Sequence, residues 1–488
     1  MLRGLTVVQN PDPSPAVLSD AHLSSTRLVV FNHEDGSDES ATGGYACLSR
    51  VVNHGVPLLV LAKDASTWAG LRERHLESLC AEFPWDRVLK FMPDCKGVHF
   101  DEFVTPVVSP AWHAFHLELR NGDEGLSHDQ HLLVQRAFPK AEQLILREIP
   151  KGFSGSRVFM AYEKRKEDST SIAHWTQPRL VKVGLREAIH TEIGAMQAVS
   201  PFIPFDLRPN LDIHVEGLVY GVFVADFVNG SQSLLEAAHA GRAEAALSNL
   251  FNRTMSRWRE RGWQREKSLD SLAIEAERLG IMAPERVRPE YANSTEVQEA
   301  GIDVAAVWAK LTAIRFRHRV ATIHGDLHGD NVRVRGDDAV LIDLGSVRGN
   351  DEANGGAPLC FDVAMLEVAL VFTFVKGEPD QSFAQTAWRQ EITPYYQTDA
   401  IGKALEASSA PRDGGWMLGC LQRIRAFGAY EQDNSCEYPL ALAIAMLRMC
   451  KFEQTSEADK GRRVYGLVLA ARIIEDLYAR ELNEGRLA

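Results

Sequence analysis

The hydrophobic positions of this chain fall into two regimes. Between residues 27 and 92 they form short unbroken runs, RLVVFN (27–32), VPLLVLAK (56–63) and the weaker VLKFM (88–92). Runs of that length, bounded by polar residues, fit buried strands. The intervals from Ala41 to Asn53 and near Thr67–Glu82 have a helical pattern, and Gly55 is placed to end the first. Strand, helix, strand predicts a parallel βαβ unit and hence a small α/β domain. Its expected span is 26–125, after a Pro- and Ser-rich arm over 1–25. The acidic loop HEDGSDES (33–40) reads as a solvated strand-to-helix connection rather than a metal or phosphoacceptor pocket. Asp64 follows the second strand, but no further receiver-type pattern accompanies it.

From about residue 130 the pattern changes. LILREIP (144–150), the glycine-bearing turn KGFSGSRV (151–158) and VFMAYE (158–163) read as strand, tight turn, strand. RLVKVG (179–184) is a further strand, a helix covers 186–199, and LDIHV (211–215) with LVYGVFVADF (218–227) predicts a hairpin. Beyond 230 the periodicity is helical, over 233–262, 268–284 and 297–317 among others, with short strands only around 332–343. A sheet-rich stretch followed by a helix-rich one predicts an α+β class with two lobes: a small antiparallel-sheet lobe over 140–230 and a helical lobe over 231–488, preceded by the α/β domain with its parallel sheet.

The composition limits the function. The length of 488 residues suits two or three domains. With 45% apolar and 24% charged residues, the chain is not mostly disordered. Its 53 Lys and Arg against 66 Asp and Glu give a net charge of −13, which argues against nucleic acid as the main partner. Seven scattered cysteines without a CxxC pair, and no export-type apolar segment at the start, imply reduced thiols in a cytoplasm. The apolar run VALVFTFV (368–375) is well short of the roughly 20 residues a membrane span needs.

The segment ATIHGDLHGDNVRVRGDDAVLIDLGSV (321–347) carries the chemistry. Asp326 is followed five residues later by Asn331, and Asp343 ends the apolar run AVLI. Phosphoryl transfer from a nucleotide needs a carboxylate near the acceptor hydroxyl and oxygen ligands for Mg²⁺ on the phosphates. An Asp and an Asn on one loop, with a second Asp at the end of the adjacent hairpin, supply that set. His324 and His328, four apart, do not read as a zinc pair: no Glu stands beside the first, and Gly325 and Gly329 make a helix poor.

HGDLHGDN followed by LIDLG resembles the catalytic and metal-binding loops of kinase-like phosphotransferases, in particular the aminoglycoside phosphotransferase and choline kinase branch, over roughly residues 140–488. The resemblance also extends to kinase-like modules that bacteria attach to other domains in multi-component systems. It implies ATP and Mg²⁺ as cofactors, Asp326 as the catalytic carboxylate, Asn331 and Asp343 as metal ligands, and structural roles for His324 and His328. It further asks for a glycine turn over the phosphates, a strand Lys and a helix Glu. Gly152, Ser154, Gly155 and Ser156 meet the first demand, since small residues let backbone N–H groups approach phosphate. Lys182, flanked by valines in a buried-looking strand, meets the second. On the following helix Ile189, Ile193 and Met196 form an apolar stripe; Glu192 flanks it and Glu187 points away, so Glu192 is the expected partner of Lys182. Asp362, in DVAMLE, is expected to hydrogen-bond the catalytic-loop backbone. Asp226-Phe227-Val228-Asn229-Gly230 is the expected hinge, with backbone at Asp226 and Val228 contacting adenine.

The acceptor is less legible. Trp258, Tyr395 and Tyr396 are scattered aromatics of the kind that usually belong to a core, and the acidic total suits a cationic substrate such as an aminosugar or choline. The expected function is therefore ATP- and Mg²⁺-dependent transfer of a γ-phosphoryl group to a hydroxyl of a small molecule or partner protein. A protein partner would act through the amino-terminal α/β domain. The alternatives are a nucleotide-binding scaffold and a kinase-fold nucleotidyltransferase.

Overall fold

The computed structural model describes residues 29–33, 58–62, 89–92, 115–120, 125–149, 155–166, 173–217, 219–263, 268–349, 355–373, 381–401 and 416–486. The described residues divide into two compact units, one from 1–193 and 210–227, the other from 194–209 and 228–488.

In the first unit, β1 (Val29–His33), β2 (Leu58–Ala62) and β3 (Leu89–Met92) pair in parallel in that order. The three apolar runs predict this arrangement. The expected arm over 1–25, the helices between these strands, residues 34–40 and Asp64 lie outside the described residues.

A second sheet contains seven described strands: β4 (His116–Arg120), β5 (Ala141–Ile149), β6 (Arg157–Lys166), β7 (Ala173–Trp175), β8 (Arg179–Leu185), β9 (Leu211–Glu216) and β10 (Tyr220–Asp226). The order is β4-β5-β6-β8-β10-β9, with β7 on β6, and every pairing but β4 with β5 is antiparallel. Helix α1 (His128–Ala137) opens on a capping box made by Ser127 and Gln130. It buries Leu133, Val134 and Ala137 against Leu144, Leu146, Phe159 and Val222. This sheet starts at His116, earlier than the residue 140 expected. The sequence HLELR is a partly exposed edge strand whose alternation of charge leaves little apolar signal. Helix α2 (Arg186–Val199) follows β8 and buries Ile189, Ile193 and Met196, while Glu187 is exposed.

The second unit is mainly helical, so the chain as a whole is α+β. After β11 (Gln232–Ser233), the single helix expected over 233–262 is instead α3 (Leu234–His239), α4 (Glu244–Asn249), a π-helical turn (Leu250–Thr254) and α5 (Ser256–Trp263). Tertiary bonds override the periodicity here: Asn249 Nδ2 donates to Asp337 O at 2.8 Å and Thr254 Oγ1 to Ala339 O at 2.6 Å. The helix expected over 268–284 is shortened to β12 (Ser268–Asp270) and α6 (Leu272–Arg278), because Ser271 caps the helix start by accepting from Ala273 N–H. Asp303 likewise starts α7 (Val304–Ala313), and the chain then continues as β13 (Phe316–His318) and β14 (Val320–Ala321). β15 (Val332–Arg335) and β16 (Asp338–Leu341) form an antiparallel hairpin, and β17 (Ala357–Pro358) pairs with β14.

Helix α8 (Cys360–Phe372) is buried at every position, which its nearly unbroken apolar sequence dictates. It packs against α10 (Trp416–Glu431), α11 (Glu437–Met449) and α12 (Glu457–Asn483), beyond α9 (Gln381–Ile392). Its one interior charge, Glu367, is met by Arg425 at 2.8 Å and the Tyr438 hydroxyl at 2.7 Å. Trp258, Tyr395 and Tyr396 are buried in this unit's core. Cys360, Cys420, Cys436 and Cys450 are buried free thiols. Among the described residues no helix is long and apolar enough to cross a membrane.

Candidate active site

The loop between β14 and β15 is fastened at both ends of its HGDLHGDN sequence. Ile323 exchanges backbone hydrogen bonds with Arg348 at 2.9 and 3.0 Å. His324 is fully buried, and its Nε2 donates to Ile342 O at 3.0 Å, which fixes the tautomer. Ile342 N–H in turn donates to Asn331 O at 2.9 Å. Both backbone groups of Ile342 are thus engaged by the loop, and Asp343 is the next residue.

Asp362, in the first turn of α8, accepts the N–H groups of His324 and Gly325 at 2.7 and 2.9 Å. This is the scaffold role its motif predicts. Burial pushes its carboxyl above the ordinary value, against the downward pull of His324 and of the two N–H bonds. Both glycines of the loop are required by close approach. A Cβ on Gly325, whose φ is +76°, would collide with Ser346 O, and one on Gly329 would meet Leu235 Cβ at 2.8 Å.

Asp326 is partly exposed and forms an ion pair with Arg448 of α11. His328 Nε2 lies 3.9 Å from its other oxygen. Burial alone would raise the Asp326 carboxyl, but Arg448, His328 and His324 outweigh it and hold the group below the usual carboxylate range. Burial depresses the His328 imidazole. Asn331 donates its Nδ2 to Asp326 O at 2.9 Å, which leaves Oδ1 turned to other use. Asp343 adopts φ 55° and ψ 65°, and is the one non-glycine residue with positive φ among those described.

In the first unit, Lys182 Nζ lies 2.7 Å from Glu192 Oε2, with both side chains buried. This is the pair the apolar stripe of α2 predicts, and a buried ammonium needs such a partner. In the sheet Lys182 stands opposite Val158 on one side and Phe223 on the other. The register therefore sets it two residues from the end of the glycine turn. Of that turn Gly155 is exposed and Ser156 is buried at the start of β6, while Gly152 and Ser154 lie outside the described residues. Asp226 is exposed and accepts from Asn210 Nδ2 at 3.2 Å, and Val228 O accepts from Ser231 Oγ at 2.6 Å. One of the three chain positions at which the units divide lies between Phe227 and Val228.

His324 spends its Nε2 on the carbonyl of Ile342. Among the described residues no three His, Cys, Asp or Glu side chains cluster as a metal site. Mg²⁺ makes a smaller demand, one or two protein oxygens with the rest from phosphate and water. Asn331 Oδ1 and the Asp343 carboxylate fit that donor set. Arg448 is the member that sequence reading misses: 122 residues separate it from Asp326, and a cation near a helix end reads first as a complement to the helix dipole.

No protein-family model and no curated protein matches the chain. Solved structures similar to it include a glucosamine kinase and aminoglycoside phosphotransferases. A glucosamine kinase is 13% identical, with 73% of this chain and 98% of that one covered and a TM-score of 0.35. An aminoglycoside phosphotransferase from Streptomyces rimosus, solved with ADP and streptomycin, is 16% identical over 56% of this chain and 94% of its own, at a TM-score of 0.27. An aminoglycoside-3'-phosphotransferase of type VIII is 16% identical over 57% and 93%, at 0.31. With TM-scores below 0.5, the case for phosphotransfer chemistry rests on this chain's own side chains.

Proposed function

We propose that the chain is an ATP- and Mg²⁺-dependent phosphotransferase that moves the γ-phosphoryl group of ATP to a hydroxyl. The observation that carries this reading is the hydrogen bonding that ties the backbones of three oxygen-bearing residues together. Asp326 and Asn331 share one loop, and Asp343 is tied to it through Ile342. Asp326 receives the acceptor's hydroxyl proton while the new P–O bond forms; the bond from γ-phosphorus to the bridging oxygen breaks, and ADP leaves. Lys182, oriented by Glu192, and the turn containing Gly152, Ser154, Gly155 and Ser156 bind the phosphates of ATP. Backbone groups at Asp226 and Val228 receive the adenine. Asn331 and Asp343 hold Mg²⁺, which when bound offsets charge on the phosphates.

Calorimetric titration of ATP with and without Mg²⁺ tests the nucleotide site. Metal-dependent binding that disappears in Asp343→Ala is expected; absence of binding under every condition overturns the reading. Transfer is followed with γ-labelled against α-labelled ATP, because label moving from the α position would assign nucleotidyl transfer instead. Asp326→Ala is expected to abolish transfer and retain ATP binding.

A further inference from the structure

The acidic total of the chain conceals a cluster of cations around Asp326 among the described residues. Arg448, near the end of α11, pairs with Asp326, and its Nε is buried without a hydrogen-bond partner. Lys451 follows three residues later, and the two cations flank the Phe452 ring at 5.2 and 5.0 Å from its centroid. Arg348 leaves the backbone bridge to Ile323 so closely that its Cγ would lie 3.2 Å from a Cβ on Gly325, the residue before Asp326.

Two of these cations, Arg348 and Lys451, converge with Arg286 on a single turn. Arg348 Nε, Arg286 Nη1 and Lys451 Nζ donate to the carbonyls of Leu279, Gly280 and Ile281 at 3.3, 2.6 and 3.3 Å. A carbonyl dipole orients a cation without neutralising it. Burial and the guanidiniums of Arg448, Arg286 and Arg348 bring the Lys451 ammonium down to about 8, and Asp326 is the carboxylate that opposes them. Asp330, the loop's other acid, acts on His328.

We propose that the acceptor is an anionic alcohol, carrying a phosphate or a carboxylate, whose charged group binds to Arg448, Lys451, Arg348 and Arg286 beside Asp326. The acceptor role rests on the phosphotransferase reading; the anion site does not. The incoming anion takes the Arg448 guanidinium from Asp326, which leaves that carboxylate to receive the hydroxyl proton. A cationic acceptor such as an aminosugar meets like charges at the same place.

The test is calorimetric titration of the full chain with inorganic phosphate, malonate and glucosamine, in parallel with Mg·ATP. At least one of the two anions is expected to bind, and which one assigns phosphate or carboxylate. Lys451→Gln should weaken that binding about tenfold, and Asp326→Asn, which releases Arg448, should strengthen it. Saturating the nucleotide site with ADP should leave it unchanged. Binding of neither anion, binding lost in the presence of ADP but not in Lys451→Gln, or binding of glucosamine in preference to both anions would overturn the proposal. The Mg·ATP titration reports separately on the nucleotide site, so failure of either reading is seen apart from the other.

Discussion

Asp362 Oδ2 accepts the backbone N–H of His324 at 2.7 Å, across 38 positions of sequence, and so a buried helix sets the first residue of the loop that carries Asp326. The second oxygen takes the next N–H, of Gly325, at 2.9 Å. Truncation would leave two buried donors without an acceptor, at about 1–3 kcal/mol each. Asp362→Ala is therefore expected to lower unfolding free energy in urea by about 2–5 kcal/mol, and Asp362→Asn, which keeps one acceptor oxygen, by less. Equal midpoints for Asp362→Ala and the parent chain would mean that these bonds do not restrain the loop.

Asp343 separates stability from function. Its φ of 55° is a conformation that glycine adopts without strain and that costs other residues on the order of 1 kcal/mol. Asp343→Gly should accordingly unfold at the same denaturant concentration as the parent or a higher one, yet lose Mg²⁺-dependent ATP binding. A variant that is destabilised and still binds Mg·ATP would assign Asp343 to the scaffold.

The elements that the sequence discloses are those whose neighbours are local. The stripe Ile189, Ile193 and Met196 fixes which side of α2 is buried, and hence that Glu192 rather than Glu187 meets Lys182. The role of Asp362 was legible because its motif stands at the start of an unbroken apolar helix. What escaped was set by distant contacts. Thr254 bonds to the carbonyl of Ala339 and the helix around it widens into a π turn, which no periodicity within 233–262 encodes. Arg448 looks like any other arginine near a helix end until α11 brings it to Asp326. The suggestion of a cationic substrate was drawn from the net charge of −13, whereas a site responds to the charges within a few ångströms.

The Lys182–Glu192 pair is buried on both sides, so removing one partner takes the opposite charge from the other inside the fold. Lys182→Met and Glu192→Gln are each expected to destabilise the fold by about 3–5 kcal/mol, and Lys182→Met/Glu192→Gln by less than the sum of the two. Denaturant unfolding of the four proteins closes the cycle. Additive losses would show that the two charges act independently, contrary to their 2.7 Å separation.

Anion binding beside Asp326 should depend on pH through Lys451. Burial and its arginine neighbours bring this ammonium from the ordinary lysine value down to about 8. Asp326 is held below the carboxylate range and His328 is depressed below its ordinary value, so neither changes charge between pH 7 and 9. Sulfate keeps a constant charge over that interval and is the suitable probe. Below about 8 Lys451 is protonated and attracts the anion; above it the charge is lost. Sulfate affinity should therefore fall by about three- to tenfold from pH 7 to 9. Lys451→Arg should flatten the profile by keeping the charge, and Lys451→Gln should flatten it at the weak end. A fall with pH that persists in Lys451→Gln would remove Lys451 from the site.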